Sequence, residues 1–110
     1  MTKNMDLYAL LTRRKYDEVA EGLAAQGNKN FEMLALLAAL RSETVAAKEY
    51  LSRIQPGEGD AGDQAVAIEA ELVIGANERK TYDELSALAR TAIDLDDNSM
   101  FAHHTLGQIA

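Results

Sequence analysis

Residues 80–107 read KTYDELSALARTAIDLDDNSMFAHHTLG and contain one helix, a polar break and the start of a second helix. Apolar residues recur every three or four positions over residues 82–93, which is the spacing of one face of an α-helix. The polar run at residues 94–99 interrupts this pattern, and helical spacing resumes at Met100. Two helices separated by so short a break are expected to pack against each other in antiparallel orientation.

The same alternation of apolar stripes and polar corners extends back to the N-terminus. Helices are predicted over residues 5–11, 16–23, 31–38, 45–54 and 65–76. Gly27 stands where a left-handed helix cap is expected, and Asn28 and Asn30 follow it as candidate N-caps. Pro56 ends the fourth helix because proline has no amide hydrogen. The sequence therefore predicts an all-α domain of about seven helices, with hairpins at about 3–27, 28–55 and 64–95, a flexible loop at 56–63 and a final helix at 99–110.

The amino-acid composition supports an all-helical globular domain and excludes some classes of function. Alanine and leucine, both strong helix formers, dominate the apolar residues, which make up 47% of the 110-residue chain. The net charge of −7 argues against nucleic acid as a partner, since phosphate contacts require clustered Lys and Arg. No apolar run approaches the roughly 20 residues of a membrane span, and no targeting signal is present, so we expect no membrane insertion and a cytoplasmic location.

Three kinds of motif that could bind a nucleotide or a metal ion are better explained as turns and helix surface. Residues 57–62, GEGDAG, match the dinucleotide pattern G-x-G-x-x-G but follow a helix instead of a strand. Two segments with a calcium-loop rhythm carry Asp63 and Ser99 where such a loop needs glycine. His103 and His104 are adjacent, so they point about 100° apart on a helix and cannot share a metal ion as an i, i+4 pair would. We therefore expect no enzymatic activity, no cofactor and no metal.

Residues 82–107 resemble the tetratricopeptide repeat, a family of stacked helical hairpins. The segment Tyr82-Asp83-Glu84-Leu85 is similar to the Tyr-Asp-Glu-Ala that begins the family's second helix, and Leu106-Gly107 is similar to the Leu-Gly of the next first helix. Asp97 replaces the usual proline, and His103 stands where a tryptophan is common. The corresponding corners, at Tyr16, Thr44 and Tyr82, are 28 and 38 residues apart, on either side of the family's period of about 34. The earlier hairpins are thus degenerate copies, and an unrelated helical bundle is the alternative.

The resemblance implies a short right-handed superhelix whose first helices line a concave groove. Such a protein acts as an interaction scaffold that binds a peptide or helical segment of another protein. The family's groove positions fall here on three columns: Asn4, Glu32, Ala70 and His104; Tyr8, Leu36, Ile74 and Gln108; and Leu11, Ala39 and Asn77. The middle column is apolar on three successive helices, which suits an apolar helix face. The alternative is that Leu36 and Ile74 pack in the interior.

The last predicted helix suggests two further possibilities. It is apolar on at least one side and lacks a partner helix, so either the chain is a fragment of a longer repeat protein or that side is covered. Phe101 and Ile109 are the candidates for self-association, which makes a homodimer possible. A self-associating assembly subunit and a small secretion-type chaperone are therefore the alternative functions.

Overall fold

The computed structural model describes the backbone of residues 2–27, 29–54, 61–97 and 99–109, and the side chains of residues 7–27, 29–54, 63–97 and 99–107. Within these ranges the chain forms helices and no strand, as predicted from the sequence. The helices are α1 (Thr2–Thr12), α2 (Tyr16–Ala25), α3 (Phe31–Leu40), α4 (Thr44–Ser52), α5 (Ala61–Asn77), α6 (Tyr82–Leu95) and α7 (Met100–Ile109). Helix α5 begins within the predicted loop 56–63, so residues 61–63 are helical, while residues 56–60 lie outside the described residues.

The helix ends follow local signals in the sequence. Gly27, just after α2, has a φ of +83°, the left-handed conformation that was predicted there and that glycine adopts without a steric penalty. Asn30 caps α3, since its Oδ1 accepts a hydrogen bond from the Met33 amide at 3.2 Å. Thr81 caps α6 in the same way. The other candidate N-cap, Asn28, lies outside the described residues. Each such cap stabilises its helix by about 1 kcal/mol.

Three corners share one backbone geometry. Arg14, Ser42 and Arg79, which follow α1, α3 and α5, have φ angles of 62°, 63° and 59°. At each corner the next amide donates to the carbonyl five residues earlier, as in a Schellman motif. These hydrogen bonds run from Lys15 to Leu10 at 3.0 Å, from Glu43 to Ala38 at 2.8 Å and from Lys80 to Gly75 at 2.9 Å. The chain therefore turns in the same way after α1, α3 and α5.

The left-handed residues at these corners are places where glycine should stabilise the protein. Replacing Ser42 by glycine should raise the free energy of unfolding by roughly 0.5–1 kcal/mol, because the relief of left-handed strain exceeds the entropy that glycine adds to the unfolded chain. Urea denaturation measures the difference. Ser42→Val is the matched control and should lower stability, since a β-branched residue tolerates this conformation least. A destabilising Ser42→Gly would contradict the corner geometry.

The core consists of three buried clusters, and α5 contributes to all of them. The largest joins α1, α2, α3 and α5 and contains Leu7, Leu11, Val19, Leu23, Met33, Leu34, Ala35, Leu36, Leu37 and Ala70. The second joins α5, α6 and α7 through Leu72, Leu85, Ala89, Ala92 and Ala102. The third joins α3, α4 and α5 through Ala38, Ala39, Ala47 and Ile74. The many alanines allow neighbouring helices to approach closely.

Two surface ion pairs connect successive hairpins. Asp17 on α2 contacts Arg41 after α3 at 3.0 Å, and Lys48 on α4 contacts Glu78 after α5 at 2.6 Å. All four side chains are more than a third exposed, so each pair contributes under about 1 kcal/mol. The two ion pairs show that α2 lies near the corner after α3 and that α4 lies near the corner after α5, but they add little stability. Among the described helices, none is both long and apolar enough to cross a membrane.

Candidate partner-binding site

Five of the eleven predicted groove residues lie in the interior. Leu11, Leu36, Ala39, Ala70 and Ile74 are each at most 4% exposed. The prediction that these five line an open groove is therefore wrong for this conformation. For the middle column, the structure supports the alternative that Leu36 and Ile74 pack inside.

The reason lies in the central helix α3. Every side chain from Met33 to Ala39 is buried, because α3 packs against α4 and α5 and also contacts α1 and α2. A helix that is apolar on all sides is expected to be buried on all sides. This local pattern overrides the family's assignment of Leu36 to a solvent-facing column.

The remaining predicted groove residues have different environments. His104 is exposed on α7, while Glu32 and Tyr8 are partly buried. Asn77 is exposed, but its Nδ2 donates to the Ala39 carbonyl at 3.2 Å and so ties the end of α5 to α3. The side chains at positions 4 and 108 lie outside the described ranges. The buried members of the columns therefore lie in two core clusters, and Asn77 and His104 are the exposed ones among the described side chains.

A buried polar cluster, which the sequence did not reveal, joins α1, α5 and α7. The Tyr8 hydroxyl donates to Glu69 Oε2 at 2.5 Å and accepts from the Met100 amide at 2.8 Å. The same Oε2 accepts from the Phe101 amide at 3.2 Å. Glu69 is only 1% exposed, so its carboxyl group depends on these donors for hydrogen bonding. Tyr8 and Glu69 in turn satisfy two N-terminal amides of α7 that have no partner within the helix.

The Glu69 carboxyl group is poised to change charge near neutral pH. Burial is the largest influence and raises its pKa to about 7, against the opposing hydrogen bonds from Tyr8 and the Phe101 amide and a smaller opposing effect of the nearby Ser99 hydroxyl. The negative charge of Asp96 acts in the same direction as burial. The Ser99 hydroxyl is itself buried and lies near the carboxyl group without completing a hydrogen bond of ordinary geometry. Burial also raises the pKa of the Tyr8 hydroxyl, so Tyr8 remains a hydrogen-bond donor.

The geometry of this cluster suits a structural link between helices. The rings of Tyr8 and Phe101 pack edge to face with centroids 5.8 Å apart, which adds an apolar contact between α1 and α7. Glu69 and Ser99 are both at most 2% exposed and cannot reach a substrate in this conformation. The cluster therefore positions α1 against α5 and α7.

Of the two predicted self-association residues, the described side chain of Phe101 is not freely exposed. Phe101 is partly buried because its ring packs on Tyr8, and the side chain of residue 109 lies outside the described ranges. Among the side chains of residues 100–107, the exposed ones are Met100, His103, His104 and Gly107, which share one face of α7. His103 Nε2 lies 2.8 Å from the Asp97 carbonyl, so this ring is engaged with the preceding turn. Among the described side chains, no three His, Cys, Asp or Glu groups come together as a metal site.

No protein-family model matches the chain, and neither a curated protein nor a solved structure is significantly similar to it. The tetratricopeptide resemblance therefore stays a prediction. It rests on residues 82–107 and on the positions of the predicted hairpins.

Proposed function

We propose that this chain is a protein–protein interaction scaffold, organised like a short tetratricopeptide array, which binds a helical segment of another protein. The observation that carries the proposal is the common corner geometry at Arg14, Ser42 and Arg79. Because three successive helix pairs turn alike, they are suited to stack in one direction. Stacked pairs of this kind create an extended surface, which is suited to holding a polypeptide.

Contacts between the pairs support the same arrangement. The ion pairs Asp17–Arg41 and Lys48–Glu78 join each hairpin to the corner of the next one. Helix α3 packs along both α4 and α5, and α5 packs along α6, so each first helix contacts its own second helix and a neighbouring first helix. This is the pattern that a repeat array needs in order to bury faces that one hairpin cannot bury alone.

We place the partner on the side formed by the first helices, where Asn77 and His104 are the exposed residues among the described predicted groove positions. Leu7, Leu36, Ala70 and Phe101, from α1, α3, α5 and α7, gather in or against the largest apolar cluster. The second helices α2 and α6 have two acidic residues each in their first turns, compared with one each in the first helices α3 and α5. An amphipathic helix that places its apolar face against α3, α5 and α7 fits the first-helix side.

A displayed peptide library tests this proposal. Peptides of about 15 residues, four turns of helix, should be selected against the immobilised chain, and the enriched sequences should carry apolar residues at helical spacing. His104→Glu, on the first-helix side, should weaken these peptides at least about tenfold, which is roughly 1.4 kcal/mol. Val45→Glu is the matched control, because Val45 is 83% exposed on the second helix α4 and should leave binding unchanged.

Two outcomes would count against the proposal. If independent selections yield peptides that share no sequence pattern, the chain has no specific binding surface on its first helices. If the binding of the selected peptides is weakened only by Val45→Glu, the binding surface lies on the second helices. Self-association, the alternative predicted from the sequence, has less support, because Phe101 packs on Tyr8 and Met100 is the one large apolar residue among the described exposed side chains of α7, beside two histidines and a glycine.

A further inference from the structure

The last described helix, α7, buries little apolar surface. Among residues 100–107, Ala102 is the one fully buried side chain, and four of the eight residues are exposed. Helix α7 packs mainly along α6 and has few contacts with α5. Since an alanine buries only a small apolar area, the polar contacts at the start of α7 contribute substantially to holding it in place.

These polar contacts converge on one buried carboxyl group, and no cation is among the groups that act on it. Glu69 Oε2 accepts from the Phe101 amide at 3.2 Å and from the Tyr8 hydroxyl at 2.5 Å. The other groups that act on it are the Ser99 hydroxyl and, through its negative charge, Asp96. Helices α3 and α6 also pack along α5, but none of their described titratable side chains acts on this carboxyl group. The start of α7 is therefore tied to a group that can gain or lose a proton in the interior.

Ionisation of this carboxyl group destabilises the closed position of α7. Glu69 is 1% exposed, and burial raises its pKa to about 7. Above that pH the closed form holds a buried negative charge that is met by hydrogen-bond dipoles alone, with a second negative charge at Asp96. The first turn of α7 contacts the carboxyl group, so movement of this turn lets water reach the carboxylate. Unfolding of the whole chain would also hydrate it, but only with the loss of all three core clusters, so local opening at α7 requires less free energy.

We propose that α7 is a pH-sensitive end helix, which is held closed on α1 and α5 while Glu69 is protonated and opens locally when this carboxyl group ionises. On opening, Phe101 leaves the ring of Tyr8, and Ala102 leaves the cluster that it shares with α5 and α6. The hydrated carboxyl group of the open form has its ordinary pKa of 4.5, so the closed form binds more protons between pH 4.5 and about 7. The fraction of open molecules therefore grows as the pH rises through this interval and levels off above it. This opening requires no partner and is independent of the proposed function.

Native-state hydrogen exchange on the full wild-type chain tests this proposal. Protection factors, which correct for the intrinsic effect of pH on exchange, are measured at pH 5, 6, 7 and 8 for amides of α7 and α3. The α7 amides should be less protected than those of α3 at each pH, and their protection should fall at least about tenfold between pH 5 and 8, with about 70-fold as the limit. Low urea concentrations should leave exchange in α7 unchanged and accelerate it in α3, because local opening exposes little surface.

Glu69→Gln separates this carboxyl group from the other groups of α7 that respond to pH. The helix carries two exposed histidines, His103 and His104, whose charge can also change in this range. In Glu69→Gln the protection of α7 should vary less than about twofold between pH 5 and 8, because glutamine does not ionise. Glu71→Gln, at an exposed position of the same helix, is the matched control and should follow the wild type.

Three results would overturn the proposal, and the first two need only the wild type. Equal protection and equal urea dependence in α7 and α3 would mean that α7 opens only when the whole chain unfolds. Lower protection in α7 that stays constant from pH 5 to 8 would mean that Glu69 remains buried when α7 opens. A fall in protection that persists in Glu69→Gln would assign the pH dependence to the histidines of α7.

Discussion

Leu36→Glu is expected to unfold the protein. Leu36 is 0% exposed in the largest core cluster, so a glutamate there has to be either ionised in an apolar interior or protonated at a shifted pKa. Together with the lost apolar contacts, the cost exceeds about 4 kcal/mol, which is close to the whole stability of a small domain. Far-ultraviolet circular dichroism should show loss of most helical signal at 25 °C.

Val45→Glu provides the matched control for this experiment. It introduces the same charge into a helix at a side chain that is 83% exposed, so stability should change by no more than about 0.5 kcal/mol. Wild-type helicity and cooperative melting in Leu36→Glu would mean that Leu36 faces solvent. That result would support the open groove predicted from the sequence.

The helices were predictable because their signals are local. Helix α6 has a capping threonine, an acidic first turn and an apolar stripe through Leu85, Ala89 and Ala92, all within a few turns of chain. Gly27 and Asn30 likewise mark the end of α2 and the start of α3. The start of α5 was missed by four residues, since Ala61 to Gln64 include a glycine and lack the large apolar residues that define a stripe.

Whether the groove columns are buried depends on how the hairpins pack against each other. The repeat pattern in the sequence carries no information about that packing. The resemblance assigns Leu36 to a surface position, whereas the uninterrupted apolar run from Met33 to Ala39 indicates a helix surrounded by others. The apolar run predicts the burial of Leu36 and the resemblance does not, because the run reflects the environment of this particular helix. Family positions carry over only when the spacing of the hairpins carries over as well.

Neither the burial of Glu69 nor its role was predicted from the sequence. It lies three residues after Val66 and three before Leu72, on the apolar side of α5, where a carboxyl group needs partners. Its partner Tyr8 is 61 residues away, and the other donors are backbone amides of α7. No local pattern connects these three segments, so only the folded structure identifies the cluster.

The stability of the protein should therefore fall as the pH rises from about 4.5 to about 7. Burial raises the pKa of Glu69 from its ordinary value of 4.5 to about 7 in the folded state. Below pH 4.5 the carboxyl group is protonated in both states, and its contribution to stability is fully present. As the pH rises through 7 the group ionises in the folded state as well, against the cost of burial, and the contribution is lost. The total change corresponds to about 3 kcal/mol.

Glu69→Gln should remove this pH dependence and make the protein more stable than the wild type at pH 8, by up to about 3 kcal/mol. Glutamine keeps an oxygen that accepts from Tyr8 and the Phe101 amide, and it cannot ionise. Urea denaturation at pH 4.5, 6, 7 and 8 should show the two curves converging at the acidic end. Glu71→Gln, two residues further along α5 at an exposed position, is the control and should follow the wild type at every pH. Parallel curves for Glu69→Gln and the wild type would mean that the carboxyl group is hydrated in the native protein, and α1 would then lack its polar contact with α5.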